Sequence, residues 1–233
     1  MTNQLPHALT SAAHAKARLD AMRPLPAHTL ASLREALVLE WTYHSNAIEG
    51  NTLTLRETKV VLEGITVGGK TLREHFEAIN HRDAIGYVEE IVANQEPLNE
   101  RIIRDIHALV LKGIQAEEAG RYRQDNAMQD LVTWYAASGD VNPIVRAAEL
   151  HTRFVQIHPF VDGNGRTGRL LLNLVLMQAG YPPAIIQKEE RSRYYDVLDA
   201  ACVTQCYDGI ALLVAEAVQR SLDVYLRLLA PPN

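Results

Sequence analysis

The sequence predicts an all-α fold, a compact bundle of helices. Apolar residues recur at three- and four-residue intervals along most of the chain, which is the spacing of one helix face. No segment alternates between apolar and polar residues for long, so no strand is predicted. Thr54 with Glu57, and Thr71 with Glu74, form Thr-x-x-Glu patterns of the capping-box type that begins helices.

Helix-breaking residues divide the bundle into its predicted elements. Pro24 and Pro26 end the first helix, Gly64 ends the third and Gly113 closes the fifth. The elbow at residues 24–26 is the only boundary that the Pro and Gly pattern indicates, and it makes residues 1–26 a candidate appendage. The predicted helices span about residues 10–22, 29–48, 54–64, 71–94, 100–112, 127–137, 143–157, 166–179, 189–202 and 208–229.

Composition narrows the function classes. The chain has 233 residues, enough for one well-buried domain, and its net charge of −5 argues against the broad basic face of a nucleic-acid binder. Cys202 and Cys206 are predicted to be reduced core thiols, because a helical i, i+4 pair is poorly placed to bridge. No signal-peptide pattern and no bilayer-length apolar run is present. We therefore expect a cytoplasmic protein that binds neither nucleic acid nor membrane.

Residues 158–169 read His-Pro-Phe-Val-Asp-Gly-Asn-Gly-Arg-Thr-Gly-Arg and run directly into an apolar segment. The turn therefore lies at the N-terminus of a buried helix, where unpaired N–H groups and the helix dipole attract anions. Gly163 and Gly165 let the backbone approach a phosphate closely. Arg166 and Arg169 are three apart on the first turn, so they point the same way and can bind phosphate.

Two further side chains of this motif suggest chemistry. Asp162 offers a hard oxygen ligand that suits Mg²⁺ bridging phosphate oxygens. His158 can accept a proton near neutral pH. Alone, a His before Pro is usually structural and a Gly-Asn-Gly is usually a turn. Their order and spacing together predict a site that transfers part of a polyphosphate to a hydroxyl.

The motif resembles the signature of the Fic family, His-x-Phe-x-(Asp/Glu)-Gly-Asn-Gly-Arg-x-x-Arg, at every defined position. The resemblance continues at residues 120–123 and 177–183, and it makes residues 51–233 the expected Fic domain. It implies the Fic fold, in which the active-site loop joins two core helices. It also implies a nucleotidyltransferase that moves AMP from ATP to a Ser, Thr or Tyr hydroxyl of a protein.

The resemblance implies a role for each motif residue. His158 would be the general base, and Asp162 would hold Mg²⁺ with ATP as co-substrate. Asn164 and the helix N-terminus would stabilise charge in the transition state. The residues expected to bind the inner and then the outer phosphates are Gly163, Asn164, Gly165, Arg166 and Arg169.

A second motif lies in residues 1–50, which we expect to form an N-terminal helical segment. Ser45 and Glu49 are four apart and share a helix face, and Gly50 supplies a helix stop. A solvent-facing glutamate is the plain alternative, but the helix dipole mildly disfavours a carboxylate at a C-terminus, which suggests that Glu49 has a partner. The pattern resembles the inhibitory motif of self-inhibited Fic proteins, which implies that Glu49 pairs with Arg169 and keeps out the ATP γ-phosphate.

The resemblance also places Tyr194 and Tyr195 beside the adenine, while plain helix packing stays open for one of the two tyrosines. Cys202 stands where relatives often carry Asn, so base preference stays open. The other histidines show no metal-ligand pairing and are expected to be structural or on the surface: His44, His75, His81, His107 and His151.

One expected element is missing. In typical Fic proteins a β-hairpin flap follows the Gly-x-Tyr-Arg element and aligns the target hydroxyl. Here Arg123 is followed almost at once by the next predicted helix. Either the chain lacks the flap or the printed sequence omits a mobile segment, and the intact surroundings favour omission. A chain that lacks the flap would put transfer to a protein in doubt, but not nucleotide binding.

Two other functions remain open. One is the reverse reaction, in which Glu49 positions a water that removes AMP from a modified protein. The other is a nucleotide-sensing interaction protein with a silent catalytic loop, although a pure binder has no need of His158 or Asp162. Other donors, the target protein (the chain itself among the candidates) and a homodimer are left open as well.

Overall fold

The structure is a computed structural model that describes residues 4–123 and 126–229. Within those two ranges all regular secondary structure is helical, which confirms the predicted all-α fold. A short 3-10 helix, Lys188–Glu190, precedes α9. The α-helices are α1 Gln4–Ala21, α2 Ala27–Ile48, α3 Leu55–Leu62, α4 Leu72–Ala93, α5 Glu100–Val110, α6 Asn126–Ala137, α7 Pro143–Ile157, α8 Asn164–Gln178, α9 Arg191–Thr204 and α10 Asp208–Leu229.

Local sequence signals explain where α3 and α4 begin. The Thr54 hydroxyl accepts a hydrogen bond from Glu57 N at 3.2 Å, and the Glu57 carboxylate accepts one from Thr54 N at 2.8 Å. Thr71 and Glu74 repeat the same reciprocal pair at the start of α4. Both predicted capping boxes are therefore confirmed, and each satisfies two N–H groups at a helix start.

Several helix starts differ from the prediction by one or more residues, and two of these differences have a local explanation. Helix α1 begins at Gln4 instead of residue 10, because Pro6 lies in its first turn, where a missing N–H costs nothing. Helix α8 begins at Asn164 instead of Arg166, because Gly163 adopts a left-handed conformation (φ 76°) and turns the chain directly into the helix.

The main apolar core runs through most of the described helices, and a small separate cluster contains Leu53, Val61 and Ala78. The main core includes Ala12 of α1, Trp41 of α2, Leu150 of α7 and Leu222 of α10, and α1 packs along α10. Residues 4–21 are therefore joined to the rest by buried contacts, while the division at residue 50 stays a prediction. Cys206 is exposed and Cys202 only partly buried, so the prediction of two core thiols is wrong.

None of the helices in the two described ranges is both long enough and apolar enough to cross a membrane.

The close packing of α7 on α8 depends on Gly168. A Cβ atom there would lie 2.9 Å from His151 Nδ1 and 3.2 Å from Phe154 Cδ1, both on rings that are fully buried. Neither ring has room to move, because protein interiors are close-packed. Gly168 thus lets the helix that carries the motif approach its neighbour.

Replacing Gly168 with Ala is expected to lower the free energy of unfolding by about 1–3 kcal/mol, because the added methyl overpacks this contact. Urea unfolding at neutral pH measures the change. The matched control is Gly86→Ala in α4, where nothing lies within 4 Å of the added atom. The control is expected to be neutral or stabilising by up to about 1 kcal/mol, since Ala favours helix. Equal effects in the two variants would contradict this role of Gly168.

Candidate active site

The motif loop joins α7 to α8, two central helices of the bundle, as expected. Helix α7 ends at Ile157, and His158 turns the chain with a left-handed backbone (φ 52°, ψ 56°). The His158 side chain, at the first residue of the loop, is exposed to solvent. An accessible imidazole at this point can reach a hydroxyl that is brought in from solvent.

Asn164 holds the loop closed from inside. Its Oδ1 accepts a hydrogen bond from Phe160 N at 3.0 Å, and its Nδ2 donates to Phe160 O at 2.8 Å. The residue is only 3% exposed. Because both ends of the side-chain amide are used in this clamp, the amide of Asn164 shapes the loop, and its backbone is what it can offer to a ligand.

His107 of α5 packs against the motif loop. Its ring stacks on Phe160 with centroids 3.5 Å apart. Nδ1 accepts from Gly120 N at 2.9 Å, and Nε2 lies 2.9 Å from the carbonyl oxygen of Asp162, so the proton is on Nε2. Burial lowers the pKa of His107 to about 4, which keeps the ring neutral. The sequence predicted a structural histidine but contained no signal of this contact with the motif.

Arg166 is buried with part of its hydrogen-bonding capacity unused. It is 2% exposed, its Nη2 lies 3.6 Å from Asp162 Oδ1, and its Nη1 lies 3.4 Å from Glu77 Oε1. Neither Nη1 nor Nε has a hydrogen-bond partner among the described residues. Buried donors are rarely left unpaired. Arg166 therefore keeps hydrogen-bonding capacity for a further anionic partner.

Asp162 presents a carboxylate beside this guanidinium. It accepts from Gly163 N at 2.6 Å and from Arg73 Nη2 at 2.5 Å. Burial acts to raise the pKa of Asp162, but the Gly163 N–H, Arg166 and Arg73 together hold it below the usual value. The group is therefore ionised at neutral pH.

A single carboxylate is compatible with Mg²⁺. The described residues contain no cluster of three side chains of the metal-ligating types. Mg²⁺ is usually bound through one or two carboxylates, with substrate phosphates and waters as the other ligands. Asp162, ionised and next to the unpaired donors of Arg166, fits a metal that arrives with a polyphosphate.

The second motif meets the first at Arg169. Glu49 Oε1 lies 2.8 Å from Arg169 Nη2, so the expected ion pair is present. Arg169 Nε also donates to Ser45 Oγ at 3.0 Å, and Nη2 donates to the Ser45 carbonyl oxygen at 2.7 Å. Arg169 is 4% exposed, while its Nη1 has no hydrogen-bond partner in the described part of the chain. The end of α2 is thereby attached to the second turn of α8.

Glu49 lies directly on the backbone of the motif helix. A Cβ atom added at Gly165 would overlap Glu49 Oε1, so the carboxylate packs against the bare Cα of Gly165. Gly50 follows in a left-handed turn (φ 99°), as expected of a helix stop. A carboxylate therefore occupies the helix N-terminus, which is where the backbone would attract a phosphate.

The short 3-10 helix and the first residue of α9 hold the C-terminal end of α2 in place. Arg191 Nε donates to the Ile48 carbonyl oxygen at 2.8 Å, and Lys188 N donates to His44 Nδ1 at 3.1 Å. These bonds satisfy polar groups near the C-terminus of α2. They position the residue next to Glu49.

Comparison with known proteins agrees with this geometry. Residues 97–176 match the model of the Fic/DOC family. The structure of a segment of Fic-1 from C. elegans is 31% identical in sequence, with a TM-score of 0.87, over 96% of this chain and 72% of that chain. This chain belongs to the Fic/DOC family.

Other Fic proteins are similar over most of the chain. A Fic domain containing signaling protein from Bacteroides thetaiotaomicron has a TM-score of 0.85 and 29% identity over 94% of this chain and 97% of that chain. A protein adenylyltransferase Fic from Nematostella vectensis is 37% identical over 89% of this chain and 53% of its own length. The chain thus spans about half the length of the curated relatives it matches.

Of the two tyrosines that the Fic resemblance placed near the base, Tyr194 belongs to the core. It is 1% exposed, and its hydroxyl lies 2.7 Å from His151 Nε2. Tyr195 is partly exposed, with the Arg191 guanidinium 5.2 Å from its ring centroid. Tyr194 thus has the packing role that was left open, while the partly exposed Tyr195 stays a predicted neighbour of the base.

The Fic flap does not lie between Arg123 and α6. Helix α6 begins at Asn126, and the numbering is continuous, so two residues separate them. Those two, at positions 124 and 125, lie outside the described residues. Because two residues are too few for a pair of strands, the expectation of an omitted segment is wrong. Arg123 N instead donates to the Pro159 carbonyl oxygen at 2.7 Å, next to His158.

His151 is expected to make stability depend on pH. Burial lowers its pKa to about 4 from 6.5, so the unfolded chain takes up a proton that the folded chain refuses. The resulting stabilisation, about 3 kcal/mol, is complete above pH 6.5 and is lost as the pH falls toward 4. Urea unfolding from pH 4 to 8 should show the wild type losing more stability over this range than His151→Gln. Parallel curves would contradict the pKa shift of His151.

Proposed function

We propose that this chain transfers AMP from ATP to a hydroxyl group of a protein. The observation that carries the proposal is the pairing of an exposed His158 with a loop whose buried arginines have unfilled hydrogen-bond donors. The relatives named protein adenylyltransferase Fic support the same activity. In this proposal residues 51–233 are the Fic domain and residues 1–50 carry its inhibitory motif.

The geometry supports an in-line displacement. His158 accepts the proton of the target hydroxyl, whose oxygen then forms a bond to the α-phosphorus of ATP. The bond from that phosphorus to the bridging oxygen breaks, and pyrophosphate leaves with its electron pair. The α8 N-terminus and the backbone of residues 163–165 stabilise the phosphate charge, and Arg166 binds the outer phosphates. Mg²⁺ held at Asp162 would neutralise phosphate charge when it is bound.

We also propose that Glu49 inhibits the protein. Arg169 can offer its Nη2 either to Glu49, as it does here at 2.8 Å, or to the γ-phosphate of ATP. The contact of Glu49 with Gly165 makes the competition steric as well as electrostatic. Because phosphoryl transfer depends on alignment, ATP that enters beside Glu49 is held out of line for attack.

The connection between Arg123 and α6 favours a second candidate function. A chain without the flap has no strand on which to align an extended target segment. A nucleotide-sensing protein, which binds ATP and transfers nothing, needs no such strand.

The cytoplasmic location and the homodimer stay predictions.

Glu49→Gly is expected to raise the AMP labelling of protein in a cell lysate by about 10- to 100-fold, since it frees Arg169 and clears the phosphate position. Mass spectrometry of products made with Mg²⁺ and ATP measures one added AMP per modified hydroxyl. The matched control is Glu63→Gly, which changes another exposed glutamate at the C-terminal end of a helix. Tight ATP binding without any labelled product in Glu49→Gly would favour the nucleotide-sensing function.

His158→Ala in the Glu49→Gly background is expected to lower the transfer rate by about 10²–10⁴-fold, because the hydroxyl loses its general base. The dissociation constant for ATP, measured by calorimetry, should change little, since in this proposal His158 acts on the hydroxyl and does not bind the phosphates. His28→Ala, at an exposed histidine of α2, is the control. Transfer at the background rate would remove His158 from the mechanism.

A further inference from the structure

We propose that Arg73 acts as an internal counter-cation for Asp162, which the metal must displace, so that Arg73 sets how tightly the protein binds ATP with Mg²⁺. The inference rests on the proposed function, because it takes Asp162 as the metal ligand. It gives a role to a positioning residue on α4, far in sequence from the motif.

The contact is direct and joins two distant parts of the chain. Arg73 lies in the first turn of α4, and its Nη2 donates to Asp162 Oδ2 at 2.5 Å. The other oxygen, Oδ1, accepts from Gly163 N at 2.6 Å. Both oxygens of the only acidic side chain in the motif are therefore used. A divalent cation that binds Asp162 has to replace the guanidinium, since two cations on one carboxylate repel each other.

Glu77 gives Arg73 a second partner that remains after displacement. Arg73 Nε donates to Glu77 Oε1 at 3.1 Å, one helical turn along α4. Glu77 is itself fixed, because Asn51 Nδ2 donates to its Oε2 at 2.9 Å, and its side chain is 12% exposed. Arg73 can therefore leave Asp162 without becoming unpaired, and its side chain, 51% exposed, has solvent to move into.

The charges of this cluster balance in the absence of ligand. Two guanidiniums, Arg73 and Arg166, face two carboxylates, Asp162 and Glu77, all within 3.6 Å of a partner. A metal-bound polyphosphate brings both signs of charge. Its cation takes the carboxylate that Arg73 releases, and its oxygens take the unfilled donors of Arg166. Because Arg73 is exposed, its ion pair with Asp162 is weak. Displacing that pair is equivalent to a change of about two- to fivefold in the affinity for ATP with Mg²⁺.

Calorimetric titration with ATP tests the inference, with every variant in the Glu49→Gly background and each titration run in Mg²⁺ and in EDTA. Arg73→Met is expected to bind ATP about two- to fivefold more tightly in Mg²⁺, and no more tightly in EDTA. The sign is diagnostic, because removing a positive charge beside an anion site would otherwise weaken binding. Arg73→Lys keeps a cation beside Asp162 and should bind within about twofold of the parent.

Arg34→Met is the matched control. Arg34 of α2 pairs with Glu89 of α4, and its side chain is 58% exposed. Its replacement by Met changes the net charge by the same amount as Arg73→Met, but away from Asp162. No change in either titration is expected for it. Unchanged or weaker binding of Arg73→Met in Mg²⁺ would overturn the inference, and equal weakening in Mg²⁺ and EDTA would make Arg73 a phosphate ligand instead.

Asp162→Asn separates this inference from the proposed function. It should abolish the difference between the Mg²⁺ and EDTA titrations. A difference that survives in Asp162→Asn means that Asp162 is not the metal ligand, and the metal part of the proposed function fails together with the inference. A difference that disappears there, without tighter binding in Arg73→Met, rejects the inference alone.

Discussion

The buried guanidinium of Arg169 is the constraint on which the site depends. A charge that is 4% exposed must be paired and hydrogen-bonded, because an unpaired buried ion is strongly destabilising. Without ligand, its partners are Ser45 and Glu49 at the end of α2. The ligand-free fold and the proposed phosphate site therefore depend on the same cation. Whatever removes Glu49 must supply another anion or leave the cation uncompensated.

Much of the fold followed from short-range sequence signals. The capping boxes at Thr54 and Thr71 and the positions of most helices reflect hydrogen bonds and spacings within a few residues. The spacing of Ser45 and Glu49 likewise indicated one helix face, and the family resemblance supplied Arg169 as the partner. These predictions succeeded because the information is local, or because the motif is specific.

The remaining features depend on contacts between distant positions. His107 supports the loop across 55 residues, and Arg73 reaches Asp162 across 89 residues. No periodicity or motif marks such pairs, because each side chain alone resembles many others on a helix. The prediction that Cys206 is a core thiol was wrong for a related reason. Cys206 follows the end of α9, so it does not lie on the helix face that would have buried it. The expectation of an omitted flap segment was wrong because intact surroundings do not reveal a shortened loop.

The contact at Gly165 limits what this glycine can indicate about activity when a Fic sequence is interpreted. The bare Cα of Gly165 accommodates a carboxylate of the chain itself in the ligand-free protein, at the place where a phosphate would be received. A family member without any transfer activity would still need glycine there to keep the contact with this carboxylate. The presence of that glycine is therefore no proof that such a protein works as an enzyme.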